Sequence, residues 1–166
     1  VNAASNSTSP GQTLKLFSAA VNRSDLPVEL KELKISGAVT KDTLVATRLT
    51  NNRNTEMVFD VTIPADAEIT QPYWLKESKE VGKYRVSDEK FRNQPMAPDA
   101  LWAEYTVSIL GEPIVYRHPV KYKYTEPSRG EIYKYVEIRP EIMLNFEQNV
   151  FIFTGGQSKT VGVVVK

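Results

Sequence analysis

Alternation with a period of two governs this chain. Met57, Phe59, Val61 and Ile63 fall on one side of a run while Val58, Asp60 and Thr62 fall on the other. Only an extended strand with one buried face sends successive side chains to opposite sides in this way. Leu101, Ala103, Tyr105, Val107 and Ile109 repeat the pattern against Trp102, Glu104, Thr106 and Ser108, and Gly111-Glu112-Pro113 then turns the chain into residues 114–116. A hairpin is the expected result. Val120, Tyr122 and Tyr124 alternate with Lys121 and Lys123, and after the breaker Glu126-Pro127-Ser128-Arg129-Gly130 another strand runs over residues 132–138, giving a second hairpin. No helical stripe of useful length interrupts these runs.

Upstream, residues 14–21 and 28–35 are also apolar and rich in β-formers, but each slips phase midway. Leu14 and Leu16 lead to Phe17, Ala19 and Val21, and Val28 and Leu30 lead to Leu33 and Ile35. A slip of one residue predicts a β-bulge or a change of partner strand in both. A weaker strand at 44–49 ends at Asn51-Asn52-Arg53-Asn54. Short strands spaced by turn signals predict an all-β fold, an antiparallel immunoglobulin/fibronectin-like β-sandwich over residues 13–139.

Two regions fall outside a minimal sandwich. Residues 64–99 form a long connection holding Pro64, Pro72, Pro95 and Pro98, and connections beyond about 12–15 residues are usually functional or carry structure of their own. The tail, 140–166, breaks at Arg139-Pro140 and then offers Ile142, Leu144 and Phe146, residues 150–153, and Val161, Val163 and Val165. It reads as the beginning of a second, incomplete immunoglobulin-like sandwich or as added strands, with a dimer through these strands as one way to cover them. Residues 1–12, small and polar, read as a disordered or linker start inside a larger polypeptide.

Composition narrows the function classes. Twenty-one basic and 20 acidic side chains leave a net charge of +1, without the basic excess of a nucleic-acid partner or an anionic membrane surface. Cysteine is absent, which excludes disulfides and thiolate metal ligands. The longest apolar run is far too short to span a bilayer.

The segment Ile69-Thr70-Gln71-Pro72-Tyr73-Trp74-Leu75 places two large aromatics beside a proline where regular structure stops. Two roles fit. Tyr73 and Trp74 could stack against the apolar C–H faces of a sugar ring while Gln71 bonds its hydroxyls, or Trp74 could plug an open end of the sandwich. The structural role takes precedence, since aromatics belong to cores more often than to sites. Trp102, on the polar side of its strand, either covers the same loop or stands at an inter-domain contact.

Other patterns have simpler explanations. Interleaved Tyr and Lys over residues 117–135 resemble a stacking platform for single-stranded nucleic acid, but cross-strand pairs on a solvated hairpin explain them without a basic excess. Asp60, Asp66 and Glu68 match no calcium-loop spacing. Ser128 lacks the Gly-x-Ser-x-Gly frame of a nucleophile elbow. No catalytic, cofactor-binding or metal-ligating residue is assigned.

Several short motifs occur in one order: Asn22-Arg23-Ser24-Asp25-Leu26-Pro27-Val28, Ile63-Pro64-Ala65-Asp66-Ala67, Thr70-Gln71-Pro72-Tyr73-Trp74-Leu75, Gly82-Lys83-Tyr84, and Pro119-Val120-Lys121-Tyr122-Lys123-Tyr124 with Pro127-Ser128-Arg129-Gly130-Glu131. Together they resemble the β-rich region downstream of the catalytic domain in large PIG-L (LmbE-like) deacetylases of Bacteroidetes-type bacteria, over most of residues 13–140. In that family a zinc-dependent domain with a His-Pro-Asp-Asp signature deacetylates N-acetylglucosamine-type sugars. Here His118, the one histidine, precedes Pro119, but Val120 and Lys121 stand where the aspartates belong, and one histidine cannot supply the three or four ligands of a zinc site. The resemblance therefore implies a non-catalytic accessory domain, with other domains of the same polypeptide and, in the second place, glycan as its partners. A periplasmic or secreted setting goes with it.

Overall fold

The structure, a computed structural model, describes residues 1–78, 81–156 and 158–166. Its elements are β1 (Asn2–Ala3), β2 (Ser7–Thr8), β3 (Thr13–Val21), β4 (Val28–Gly37), β5 (Lys41–Leu49), β6 (Asn54–Thr62), β7 (Leu101–Ile109), β8 (Glu112–Pro119), β9 (Lys121–Glu126), β10 (Gly130–Tyr135), β11 (Glu137–Ile138), β12 (Leu144–Phe146) and β13 (Val163–Val165), with two single 3-10 turns between β6 and β7. Two sheets dominate, a five-stranded one in the order β10-β9-β1-β3-β6 and a four-stranded one in the order β5-β4-β7-β8. Pairing within them is antiparallel, apart from β1 beside β9, which is parallel. Leu14, Leu16 and Val61 from the first sheet and Leu30, Leu33, Ile35, Leu101 and Ala103 from the second share one buried apolar cluster. The fold is all-β, with the inner faces of its two large sheets turned to one core. Among the described residues no helix is long and apolar enough to cross a membrane.

The alternating runs form strands as their period demands. Val61 is buried on β6 between exposed Asp60 and Thr62, and Leu101, Ala103 and Tyr105 are buried on β7. Both expected hairpins are present, β7–β8 and β9–β10. The two phase slips resolve differently. In β4 the register shifts between Leu30 and Glu32 against both β5 and β7, so a bulge lets Leu30 and Leu33 both reach the core.

No such shift occurs in β3, which pairs with β6 without a break from Thr13 opposite Thr62 to Val21 opposite Asn54. Ser18 keeps the inward phase after Leu14 and Leu16, and Phe17 is left exposed. A hydroxyl can occupy a core position because it is paired: Ser18 Oγ lies 2.7 Å from the Tyr105 hydroxyl. This buried bond ties β3 of one sheet to β7 of the other, and removing either partner strands the other in apolar surroundings.

Within residues 1–12, expected to be a disordered or linker start, two short strands join the sheets. β1 lies between β3 and β9, with Ala3 in the core, and β2 pairs in parallel with β11. A strand of two residues has no period to read. Its burial depends on partners at residues 16–17 and 121–122. In the tail, β12 and β13 pair with each other as a separate two-stranded sheet, leaving Leu144, Phe146, Val163 and Val165 exposed.

One close approach positions the loop region that follows. Gly37 ends β4 with φ of +112°, and a Cβ there would lie 2.3 Å from the carbonyl oxygen of Ala100. The Ala38 N–H donates to that same oxygen at 2.8 Å. Gly37→Ala combines a disallowed φ with a backbone clash, and we expect it to lower unfolding free energy by roughly 2–4 kcal/mol in urea titration; a loss below about 0.5 kcal/mol would refute the strain argument. For the inter-sheet pair, Ser18→Ala and Tyr105→Phe are each expected to destabilise by about 1–2 kcal/mol. The double variant should lose clearly less than their sum, since both orphaned hydroxyls are then gone.

Candidate functional site

The connection from β6 back to β7 folds against the scaffold at a few defined points. The Ala67 N–H donates to the Pro64 carbonyl at 3.1 Å, and Ala67 packs on the core. Thr70 is held twice by β11: its N–H donates to the Ile138 carbonyl at 2.8 Å, and its Oγ1 accepts from the Ile138 N–H at 3.0 Å. Pro72, at φ −55°, then leads into the 3-10 turn Tyr73–Leu75, closed by the Leu75 N–H on the Pro72 carbonyl. Proline suits that position because its φ is preset. A second 3-10 turn, Glu89–Phe91, begins at Asp88, whose carboxylate accepts from the Lys90 N–H at 3.0 Å.

Tyr73 joins the two turns. Its ring stacks on Phe91 with centroids 5.7 Å apart, and its hydroxyl donates to the Gln94 carbonyl at 2.9 Å. Trp74 meets Tyr73 at right angles, 4.9 Å away, and is half-buried. That burial lies between a sealed plug and a freely presented ring.

Two open grooves flank this segment. Thr70, Gln71 and residues 97–100 border both. The first, about 340 Å³, takes Tyr73, Phe91 and Gly37 in its wall. The second, about 400 Å³, takes Trp74, Pro72, Met96 and Tyr135. The adjacent aromatics thus serve different grooves, with Gln71 between them. Trp102 borders neither groove. It lies on the outer face of the four-stranded sheet, where the Arg117 guanidinium sits 4.4 Å over its ring while also pairing with Glu104 at 3.1 Å. Its π-face is occupied by that cation.

The fold adds Asp99 and Tyr135 to this region. Asp99 lies just ahead of β7 and borders both grooves, and among the described residues its Oδ1 is a buried side-chain oxygen without a hydrogen-bond partner. Burial raises its carboxyl pKa above the ordinary value, with Lys121 acting in the opposite direction. Tyr135, more than 60 residues from Trp74 in sequence, completes the second groove. A Pro-Asp step ahead of a strand was the only local signal for Asp99, and none existed for Tyr135.

Several of the remaining candidates have local partners. On the β9–β10 hairpin Lys123 pairs with Glu131 at 2.6 Å, Tyr133 donates to Glu131 at 2.9 Å, and Lys121 and Lys134 lie over Tyr135 and Tyr124. Glu68 pairs with Lys76 at 2.7 Å. Among the described residues no three His, Cys, Asp or Glu side chains converge as a metal site would require. His118 packs parallel to the Tyr105 ring at 5.7 Å, its Nδ1 is 3.0 Å from the Pro119 carbonyl, and its Nε2 is 3.3 Å from the Val1 amino group. Asn22, buried within the first motif, donates to the Leu26 and Leu49 carbonyls and accepts from the N–H and hydroxyl of Ser24. Its amide is fully used in closing that turn.

Comparison of the chain with known protein families, with curated proteins and with solved structures gave no match.

Burial, opposed by the Pro119 carbonyl, holds His118 below its ordinary pKa of 6.5. A histidine whose folded pKa is depressed binds fewer protons folded than unfolded. Its contribution to stability is therefore intact above about pH 6.5 and is lost as the pH falls from there through the folded value. Urea midpoints measured from pH 8 to 5.5 should decline below pH 6.5, and His118→Gln should flatten that decline. An unchanged slope in the variant would assign the decline to other groups.

Proposed function

We propose that this chain is a non-catalytic accessory domain of a PIG-L (LmbE-like) N-acetylglucosaminyl deacetylase-type protein, and that it works by packing against or positioning a catalytic domain. The sequence resemblance over residues 13–140 supplies the family. One surface observation carries the mode of action: on β8, the edge strand of the four-stranded sheet, consecutive residues Ile114, Val115 and Tyr116 are 48%, 64% and 63% exposed. Apolar residues on both faces of an edge strand form a patch that is usually covered by another protein surface. Pro113 and Pro119 remove two N–H donors from this strand, which favours side-chain packing over strand addition as the mode of contact.

Structural use of the family-like motifs supports the same reading. Asn22 staples its turn, Thr70 fixes the loop to β11, and residues 126–130 form the β9–β10 turn, in which the Arg129 N–H donates to the Glu126 carbonyl. These are scaffold roles, as an accessory domain requires. Exposed Leu144, Phe146, Val163 and Val165 on β12 and β13 offer a second apolar face, suited to a neighbouring domain or a second copy.

A second reading, a carbohydrate-binding module, is favoured by Trp74 and Gln71 lying on one groove. The first reading is tested directly. The gene upstream of Val1 should encode a His-Pro-Asp-Asp deacetylase domain, and that domain should co-elute with this chain in size-exclusion chromatography. Val115→Lys with Tyr116→Asp should abolish co-elution while leaving the melting temperature within a few degrees. Co-elution that persists in the variant removes β8 from the interface, and absence of the signature upstream removes the family.

A further inference from the structure

We infer that the groove walled by Trp74 is a subsite for one pyranose ring of a neutral oligosaccharide, with the indole as stacking platform and Gln71 and Asp99 as hydroxyl partners. The inference rests on the carbohydrate-binding reading and deepens it, replacing Tyr73 and Trp102 as ligand contacts by Asp99 and Tyr135.

The wall chemistry matches a pyranose, which is apolar on its C–H faces and polar around its rim. Trp74, Tyr135 and Met96 supply apolar surface, while Gln71 supplies an amide and Asp99 a carboxylate. A few polar groups set in an apolar wall are the usual composition of a small-molecule site, and about 400 Å³ falls within the range of roughly 300–1,000 Å³ for such sites.

Charge selects among ligands. Among the described residues that border the groove or lie beside it, Glu137 is held by Arg139 at 2.6 Å, and Lys121 lies over Tyr135. An anionic ligand would meet the like charge of Asp99 in the groove wall. A cationic one would find that carboxylate already partly compensated by Lys121. A neutral hydroxyl donor suits Asp99, whose carboxylate borders the groove; its Oδ1 is unpartnered and sealed from solvent in the sugar-free chain, so a small shift of the wall is needed for a donor to satisfy it, and an acceptor left unpaired is destabilising until then. A proline-rich peptide would also stack on these rings, but it presents carbonyl acceptors and few N–H donors, so Asp99 would repel it.

The platform is preorganised. Tyr73 is fixed by its bond to Gln94 and its stack on Phe91, and it holds Trp74 at right angles. Fixing a ring before binding reduces the ordering entropy that association must overcome.

The test titrates the full chain with cellotetraose, chitotetraose and a proline-rich decapeptide, by calorimetry and tryptophan fluorescence. At least one tetrasaccharide is expected to bind with a change in emission. Trp74→Ala and Asp99→Asn should each weaken that binding tenfold or more, Trp102→Ala should leave it unchanged, and Trp74→Phe, which keeps a ring, should retain part of it. In the absence of sugar Asp99→Asn should raise the melting temperature, because burial disfavours the charged carboxylate there and one of its oxygens has no hydrogen-bond partner; a lower one assigns Asp99 to scaffold and overturns its role here. Failure of both sugars to bind ends the carbohydrate reading itself. Binding that survives Trp74→Ala and Asp99→Asn keeps that reading but places the sugar elsewhere, and binding of the peptide alone replaces sugar by a peptide ligand.

Discussion

The two large sheets can bury their apolar faces only against each other, and every other feature follows from keeping those faces in phase. Leu16, Leu30, Leu33, Ile35, Leu101 and Val61 are among the largest fully buried side chains, and they come from strands far apart in sequence. A slip of one residue in any strand would turn its apolar set outward. β4 meets this constraint with a bulge between Leu30 and Glu32, which restores phase for Leu33 and Ile35. β3 meets it by burying Ser18, whose hydroxyl is satisfied by Tyr105 across the interface. Backbone geometry solves the problem in one strand and a hydrogen bond solves it in the other.

That difference explains what could be read from the sequence. Where apolar residues alone mark the inner face, as on β6 and β7, alternation gives the strand, its buried side and its hairpin partner. In β3 the marker at position 18 is polar, so Phe17 was read as the continuation of the inner face although it lies outside. Identity at one position cannot reveal that a tyrosine 87 residues away will pair with it. Residues 1–12 were opaque for a related reason: β1 and β2 are two residues each and gain their burial from neighbours brought in by the rest of the sheet.

The candidate site was legible as a segment and illegible as a constellation. Gln71, Tyr73 and Trp74 stand out because proline and large aromatics interrupt the strand pattern, and the chain does turn there in a single 3-10 turn. Which ring faces which groove depends on Phe91 and Gln94 fixing Tyr73, and Asp99 and Tyr135 enter only through the fold. Trp102 was plausible as a partner from residue type alone. Its strand phase carried the better signal, because the outer face of β7 points it away from the loop and toward Arg117.

Gly37 shows how the scaffold and the grooves are joined. Its missing Cβ lets the backbone at Ala100 pass within hydrogen-bonding reach of Ala38, and this contact sets where Asp99 leaves the loop and β7 begins. On the opposite side Thr70 is tied to Ile138, so both ends of the segment bordering the grooves are fixed by backbone contacts. Between these attachments the two 3-10 turns are joined by the stack of Tyr73 on Phe91 and by the bond from the Tyr73 hydroxyl to the Gln94 carbonyl. Trp74, edge-on against Tyr73 and partly buried, therefore sits on a segment anchored at both ends, an arrangement that serves a cover on the sandwich and the wall of a groove equally well.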